Sequence, residues 1–341
     1  MIPIIYNPSL ALIHYSAIES YLVHHIRRVI DDGGIWKNPR PTPVATTPPP
    51  AAIPIIAAPV VSSRYLITIS RTLEIFLRGL LDLTNNSLRE LICLEPTELE
   101  LYVNKLNLNY PTFIDINSDD CKILSNIFVN SIYEKLAIFN KFEFINNIGL
   151  NTCPYCNRNY IYAVSRRKVV KPEIDHFYPE SKYPILAVSY SNLIPSCQSC
   201  NGLGAKGKQD PYLVNIKSPY LIKIDDFRFT LKINKISAIH PLCGKTDVEI
   251  LFKNKIQNNC DIFNLDDLYF LHHDHAIELL IKRRLKYSKK YRDYLNSYNN
   301  LTFNKSEIDR MILGNYSLDK EQSKRPLSKL YQDIGKELGL I

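Results

Sequence analysis

The chain has 341 residues, 45% of them hydrophobic, and carries a net charge of +8. That length supports two domains with a sizeable core, so the fold does not need the disulfide bridges on which small secreted scaffolds depend. The moderate positive charge fits a polyanionic partner such as nucleic acid, although many basic proteins bind nothing acidic.

The sequence shows no membrane or export segment. The N-terminus lacks a basic stretch and a clear cleavage site, which argues against a signal peptide. The most apolar run, residues 51–61, contains Pro54 and Pro59 and is too short to cross a bilayer. We therefore expect a soluble, cytoplasmic protein without a membrane partner.

Helices and a linker are predicted for the first part of the chain. Residues 1–61 form one segment, with a helix over 16–30 and a Pro/Ala/Thr-rich linker over 39–59 that favours an extended backbone. Residues 62–149 form a helical domain. Ile67 is assigned to its first helix, and Thr97 with Glu100 forms a capping-box pattern that opens a second helix.

The pattern changes in residues 150–210, where Pro, Gly, Asn, Cys and Ser interrupt short apolar runs. We predict a hairpin whose strands are residues 159–164 and 169–177, and a short helix that begins near Cys200. Residues 211–341 are predicted to contain a small sheet between 225 and 256 and a long helix over 266–294. The fold class is therefore α+β, with a small central domain between mainly helical flanks.

Two cysteine pairs carry the strongest chemical signal. Cys153 and Cys156 form one CxxC pair, and Cys197 and Cys200 form the other. A two-residue gap lets one turn present both sulfurs to a tetrahedral ion, so the four thiolates are predicted to hold a structural Zn²⁺. The alternative, a redox CxxC, needs only one pair and usually a thioredoxin-like context, which is missing. The remaining cysteines, predicted to be buried thiols, are Cys93, Cys121, Cys243 and Cys260.

The segment between the two pairs resembles the HNH nuclease superfamily. Asp175-His176 is followed by Asn192-Leu193, then by Cys200-Asn201 and by Lys206 and Lys208, in the order that the family shows. The resemblance covers residues 150–210 and implies a β-hairpin followed by a helix, wrapped around a metal ion. It also implies a metal-dependent endonuclease that hydrolyses phosphodiester bonds in nucleic acid, and we expect DNA to be the substrate.

The resemblance assigns a role to each matched residue. His176 is the general base, since a neutral imidazole can take a proton from water near neutral pH. Asp175 and Asn201 are the ligands of the catalytic ion, and Asn192 braces the loop that orients His176. Asn201 replaces the histidine of many members, so this is an H-N-N variant. Its all-oxygen metal shell favours Mg²⁺ or Mn²⁺.

Three basic segments are candidates for contact with the nucleic-acid backbone. By resemblance, Lys206 or Lys208 contacts phosphate beside the metal. Near the predicted hairpin turn the basic residues are Arg166, Arg167 and Lys168. Further along, the predicted long helix carries Lys282, Arg283 and Arg284, with tyrosines interleaved in the turns that follow. The plainer interpretation of this last run is a solvated helix face.

Alternatives remain open for the function and for a second metal site. A non-catalytic, zinc-stabilised nucleic-acid-binding module would account for the same cysteines and basic residues. The motif also resembles that of HNH proteins in bacterial anti-phage systems, which implies a regulatory partner such as an ATPase. His272 and His275 are one helical turn apart and could share a metal, but without a third ligand at clear spacing, polar residues of a long helix explain them better.

Overall fold

The computed structural model describes residues 1–37, 64–82, 84–164, 171–235, 246–298 and 302–341. Helices predominate in these residues, and their strands pair into three two-stranded antiparallel sheets, so the α+β class is confirmed. The predicted linker at 39–59 lies outside the described residues.

The N-terminal helix α1 spans Pro8–Asp31 and is longer than the predicted 16–30. It starts earlier because the Asn7 side chain accepts hydrogen bonds from the backbone N–H groups of Ser9 and Leu10, and Pro8 occupies the first turn. Its buried residues recur every three or four positions, which is the stripe that packs on the core.

A small hairpin and further helices complete the N-terminal part. The elements are β1 (Gly34–Lys37), β2 (Tyr65–Thr68), α2 (Arg71–Leu80), α3 (Ser87–Ile92), α4 (Pro96–Asn109), α5 (Pro111–Ile114), α6 (Asp119–Leu124), a π-helical stretch (Ser125–Tyr133) and α7 (Lys141–Ile148).

Two predictions for this part were wrong. Ile67 lies in β2, paired with Ile35, because β1 offers it a strand partner that local periodicity does not reveal. The capping box of α4 is Glu95 with Glu98, two residues before the predicted one, because Pro96 sets the first helical position.

The central region contains one strand pair and a short helix. Strand β3 (Glu173–His176) pairs with β4 (Leu193–Ser196), and α8 (Gln198–Asn201) follows β4 directly. Residues 159–164 were predicted to pair with the strand that carries Asp175 and His176, and this prediction was wrong. Tyr160 instead forms an isolated bridge with Thr152, because the cysteine turn folds this segment back on its own start.

The C-terminal part contains the predicted small sheet and several shorter helices. Its elements are α9 (Pro211–Val214), β5 (Arg228–Ile233), β6 (Val248–Asn254), α10 (Gln257–Phe263), α11 (Leu265–Phe270), α12 (His273–Arg284), α13 (Tyr287–Asn296), α14 (Lys305–Leu313) and α15 (Ser328–Glu337). The single long helix predicted over 266–294 was wrong. The chain turns after Phe270 and again at Lys286, whose φ of 51° ends the helical path.

The hydrophobic core connects all these parts. Buried side chains from Met1 in the N-terminal segment to Leu340 near the C-terminus belong to one continuous cluster. The central strand pair is therefore packed inside the fold and is not a detached module. Among the described residues, no helix is both long and apolar enough to cross a membrane.

Candidate metal centre and active-site cleft

The four paired cysteines meet at one buried point. All four sulfur atoms lie within 4.8 Å of one another, and all four side chains, those of Cys153, Cys156, Cys197 and Cys200, are buried. This four-cysteine cluster can bind a metal such as zinc, whose structural sites commonly use four thiolates in tetrahedral geometry. Of the other cysteines, Cys121 and Cys260 are buried, Cys93 is half-buried, and Cys243 lies outside the described residues.

Hydrogen bonds from the protein support thiolate character in the four-cysteine cluster. The backbone N–H of Arg158 donates to Cys156 Sγ at 3.4 Å, and Asn159 Nδ2 donates to Cys197 Sγ at 3.3 Å. Donors to sulfur are the surroundings expected of metal-binding thiolates.

A left-handed asparagine closes the first cysteine turn. Asn157 has a φ of 49°, a conformation that asparagine tolerates better than most residues. Its N–H donates to the carbonyl of Cys153 at 2.7 Å, and the N–H of Cys153 donates to the carbonyl of Asn159 at 2.9 Å. These two bonds fold residues 153–159 into the turn that presents both sulfurs.

The strand pair and the second cysteine turn bring the Asp-His dipeptide and Asn201 to one cleft. His176 pairs with Leu193 and Asp175 with Ile194, and β4 leads directly into Cys197. The N–H of Asn201 donates to the carbonyl of Cys197 at 3.1 Å. A cleft of about 500 Å³ is lined by residues that include Glu173, Asp175, His176, Glu180, Asn201 and Lys208.

His176 is buried, neutral and held in one tautomer. Its Nε2 lies 2.9 Å from the carbonyl oxygen of Ala187, which can only accept, so Nε2 carries the proton and Nδ1 keeps a lone pair. Burial lowers the pKa of His176 to about 3. The imidazole is therefore the free base across the physiological pH range.

Glu180 faces the free nitrogen of this imidazole. Its Oε2 lies 3.4 Å from His176 Nδ1 and has no hydrogen-bond partner among the described residues. Burial and the nearby Glu134 carboxylate raise the pKa of Glu180. A carboxylate in this place would stabilise an imidazolium if Nδ1 took a proton.

The carboxylate of Asp175 is held by two donors. Tyr155 donates its hydroxyl proton to Oδ2 at 2.5 Å, and Lys206 Nζ donates to Oδ1 at 2.8 Å. Lys206 also donates to the backbone carbonyl of His176 at 2.8 Å and is fully buried. The expected contact of Lys206 with phosphate therefore does not fit its position. The buried Asp175 requires a countercharge, and Lys206 supplies it.

Two asparagines occupy different places around the cleft. Asn201 Nδ2 donates to Glu173 Oε2 at 2.8 Å, which directs one amide donor to that carboxylate and leaves the amide oxygen as a ligand atom. Asn192 lies inside the β3–β4 loop. Its amide oxygen accepts from the N–H of Tyr178 at 2.7 Å, and its Nδ2 donates to the carbonyls of Tyr178 and Leu186. Asn192 therefore ties the two sides of the loop together.

Oxygen donors on the cleft suit a hard divalent cation. Asp175, Glu173 and the amide oxygen of Asn201 belong to side chains that line the same cavity, and Mg²⁺ and Mn²⁺ prefer such ligands. The Tyr155 and Lys206 donors already bound to Asp175 leave each of its oxygens with further lone-pair capacity. The donor set therefore fits the expected ion, with Glu173 added to the two predicted ligands.

Residues of the N-terminal region form hydrogen bonds with the loop that fixes the His176 side chain. His14 Nε2 lies 2.8 Å from the carbonyl oxygen of Val188, the residue after Ala187. The hydroxyls of Ser189 and Ser191 donate to the carbonyls of Leu91 and Leu94 at 2.8 and 2.7 Å. These buried bonds fix the backbone segment whose Ala187 carbonyl sets the tautomer of the imidazole.

Of the predicted contact residues that the structure describes, Lys282, Arg283 and Arg284 do not line the cleft. Arg166, Arg167 and Lys168 lie outside the described residues. Lys282 pairs with Glu278 at 3.0 Å near the end of α12, next to the exposed Arg283 and Arg284. Of the predicted phosphate contacts that are described, Lys208 lines the cleft.

A second group of metal-type side chains lies at the start of α12. His272, Asp274 and His275 each offer one ligand atom within 4.8 Å of the others. Arg158 Nε donates to His272 Nε2 at 2.8 Å, and His275 Nδ1 lies 2.7 Å from the Tyr331 hydroxyl. A guanidinium bonded to one ligand repels a cation, so these histidines are better explained by their protein partners.

Sequence reasoning missed Tyr155, Glu173 and Glu180. Glu173 is two residues before Asp175 on the same strand, so the two share a face, and this spacing was a usable signal. Tyr155 lies inside the first CxxC pair, and Glu180 lies in the loop after β3. Their contacts depend on tertiary folding, which no local pattern shows.

The comparisons with known proteins give one partial similarity. The chain is 35% identical over 88 residues to "Septu protein PtuB" of Bacillus thuringiensis, a match that covers 25% of this chain and 31% of the relative. The match thus spans about a third of that protein's length. No family model matches the chain. No solved structure matches it either.

The four-cysteine cluster gives a stability prediction. We expect Cys197→Ser to lose bound zinc and to lower the free energy of unfolding by several kcal/mol, because structural zinc contributes directly to folding. Metal content by mass spectrometry and melting temperature check this. Cys121→Ser, a buried cysteine outside the cluster, is the matched control and should keep its zinc. Normal zinc content in Cys197→Ser would contradict a structural role for the cluster.

The loop contact of His14 gives a pH prediction. Burial lowers the pKa of His14 to about 4, below its usual value of 6.5. The unfolded chain therefore binds a proton between these values that the folded protein does not, and stability is lost as pH falls below 6.5. We expect a loss of up to about 2 kcal/mol between pH 6.5 and 5 from this group, at about 1.4 kcal/mol per pH unit.

The variant His14→Gln isolates this effect. Glutamine can still donate to the Val188 carbonyl but does not titrate, so its stability should fall less steeply over the same pH range. Chemical denaturation at pH 7.5, 6.5, 5.5 and 5.0 measures both proteins. Equal slopes would show that His14 does not titrate as its burial implies.

Proposed function

We propose that the protein is a metal-dependent endonuclease of the HNH type that hydrolyses phosphodiester bonds, with DNA as its substrate. The observation that carries this proposal is the placement of a neutral imidazole, with its Nδ1 lone pair free, in one cleft with Asp175 and Asn201. The order strand, loop, strand and helix of β3, β4 and α8 around that cleft supports the proposal, since the motif resemblance implies two strands followed by a helix.

The chain's own residues would divide the work of hydrolysis. His176 Nδ1 takes a proton from the attacking water, and the Ala187 carbonyl keeps the other nitrogen protonated. Glu180, 3.4 Å from Nδ1, stabilises the imidazolium that results. Lys208 on the cleft contacts the phosphate backbone. A divalent ion held by Asp175, Asn201 and Glu173 would stabilise the charge that develops on the phosphate and the leaving oxygen.

We place this activity in bacterial anti-phage defence, under the control of a partner protein such as an ATPase. Two observations support this placement. The motif between the cysteine pairs resembles that of HNH defence proteins, and an 88-residue segment is similar to a Septu protein. A regulated nuclease also explains why a host could tolerate the enzyme.

One observation favours the alternative, a non-catalytic zinc-stabilised module that binds nucleic acid. Both oxygens of Asp175 already accept hydrogen bonds, from Tyr155 and from the buried Lys206. A carboxylate that serves only as the partner of Lys206 would have the same contacts. The two functions differ in cleavage and in the effect of His176.

Replacement of His176 tests the nuclease directly. We expect His176→Ala to lower the rate of plasmid nicking in Mg²⁺ or Mn²⁺ by at least about 100-fold, since a general base contributes about 10²- to 10⁴-fold. His24→Ala removes an exposed histidine and should nick like the wild type. Zinc content and melting temperature show whether each variant is folded.

The same assay separates the two functions. Nicking by the wild type that disappears with EDTA and returns with Mn²⁺ supports the nuclease. Cleavage by a folded His176→Ala variant at the wild-type rate would contradict the assignment of the base. Tight plasmid binding without nicking, alone or with the partner co-purified from the native host, would favour the non-catalytic module.

A further inference from the structure

A stacked pair of tyrosines is exposed beside the first cysteine turn. The rings of Tyr160 and Tyr162 lie 4.7 Å apart at an interplanar angle of 19°. Residues two apart in an extended chain point to the same side, which explains the stack. The two residues are 48% and 49% exposed, so aromatic surface is available to a partner.

Cations surround a third tyrosine next to this pair. The Tyr316 ring lies 4.1 Å from the Arg310 guanidinium, 5.2 Å from Lys324 Nζ and 5.7 Å from the Arg325 guanidinium. Desolvation raises the pKa of Tyr162, and the Tyr160 and Tyr316 side chains add to this rise, whereas Arg325 opposes it. Tyr316 and Arg325 therefore lie near Tyr162. Glu321 neutralises Lys324, which leaves an excess of positive charge.

Hydrogen bonds fasten these cations to the cysteine turn. The Asn157 carbonyl accepts from the N–H of Leu327 at 2.6 Å, and Asn157 Nδ2 donates to the carbonyl of Gln322 at 3.0 Å. The Thr152 hydroxyl donates to the carbonyl of Ser323 at 3.1 Å. Residues 322–327, which carry Lys324 and Arg325, are therefore held against the segment that leads into Tyr160.

The same turn connects this surface to the cleft. Asn159, directly before Tyr160, donates to Cys197 Sγ, and the Cys197 carbonyl accepts from the N–H of Asn201. We call the surface formed by Tyr160, Tyr162, Tyr316, Arg310, Lys324 and Arg325 the tyrosine platform. Because the four-cysteine cluster lies between the platform and Asn201, their separation is fixed by the fold.

We propose that the tyrosine platform binds single-stranded nucleic acid, an inference that rests on the proposed nuclease function and names an unpaired strand as what the enzyme holds beside its cleft. Bases stack on the exposed tyrosine rings while Arg310, Lys324 and Arg325 contact the backbone phosphates. Stacking of this kind requires unpaired bases, since the faces of paired bases are covered by their neighbours. A strand on the platform would be anchored at a constant distance from His176.

Binding measurements in the His176→Ala background test the platform without any cleavage. Fluorescence anisotropy is measured with labelled single-stranded DNA and RNA oligonucleotides and with duplex DNA of the same sequence, without added divalent ions. We expect tighter binding of a single strand than of the duplex. Because one stacked base contributes about 1–3 kcal/mol, Tyr160→Ala with Tyr162→Ala should weaken single-strand binding at least about tenfold.

Matched variants separate stacking from charge and from folding. Tyr160→Phe with Tyr162→Phe keeps the rings and should bind single strands within about twofold of the parent. Tyr65→Ala, a tyrosine of similar exposure in β2, should leave binding unchanged. Arg310→Ala should weaken binding and lower the slope of log affinity against log salt by about one.

Each result of the binding measurements either supports or overturns the proposal. A tenfold or larger loss with either DNA or RNA, restored by the phenylalanine pair, supports the platform and shows which polymer it takes. Single-strand binding unaffected by the double alanine variant overturns the proposal, as does an equal loss for single strand and duplex. Since no step needs hydrolysis, a failed nicking assay and a failed platform are separate results.

Discussion

The buried four-cysteine cluster is the constraint on which the rest of the site depends. Cys153 and Cys156 precede β3, and Cys197 and Cys200 follow β4, so the cluster closes the loop that contains both strands. Neither strand exceeds four residues, and a strand pair this short has little stability of its own. A metal bound by the four cysteines would supply the stability that the strand pair lacks.

Two buried side chains, Asp175 and His176, dominate the electrostatics of the loop that the four-cysteine cluster closes. Asp175 pairs with Lys206 at 2.8 Å, whereas His176 is neutral because its burial disfavours a charge. Lys206 bonds both to the Asp175 carboxylate and to the backbone of His176, so one ammonium orients the dipeptide. Removal of either partner would leave an uncompensated buried charge, which is among the costliest local changes in a protein.

Whether a feature could be predicted from the sequence depends on whether a local pattern or the tertiary fold determines it. The cysteine spacing predicted the four-cysteine cluster. The order of the Asp-His, Asn-Leu and Cys-Asn motifs predicted that Asp175, His176 and Asn201 share a cleft. Both predictions succeeded because each pattern describes residues that one ion or one short turn brings together. The strand partner of His176 was predicted wrongly, since residues 159–164 have strand-like composition but are folded back at Tyr160. Lys206 was misplaced for a related reason: a lysine in a polar loop is usually exposed, and only the tertiary fold shows the carboxylate that it must neutralise.

We infer that the four-cysteine cluster positions the His176 imidazole beside an oxygen-lined site for a hard cation, and the proposed function requires this arrangement. Crystals soaked in Mn²⁺, with anomalous data collected at the zinc and manganese edges, test it most directly. We expect zinc at the four cysteines and manganese in the cleft, in direct coordination with oxygens of Asp175 and Asn201. Manganese absent from the cleft, with Asp175 still bound to Tyr155 and Lys206, would contradict it.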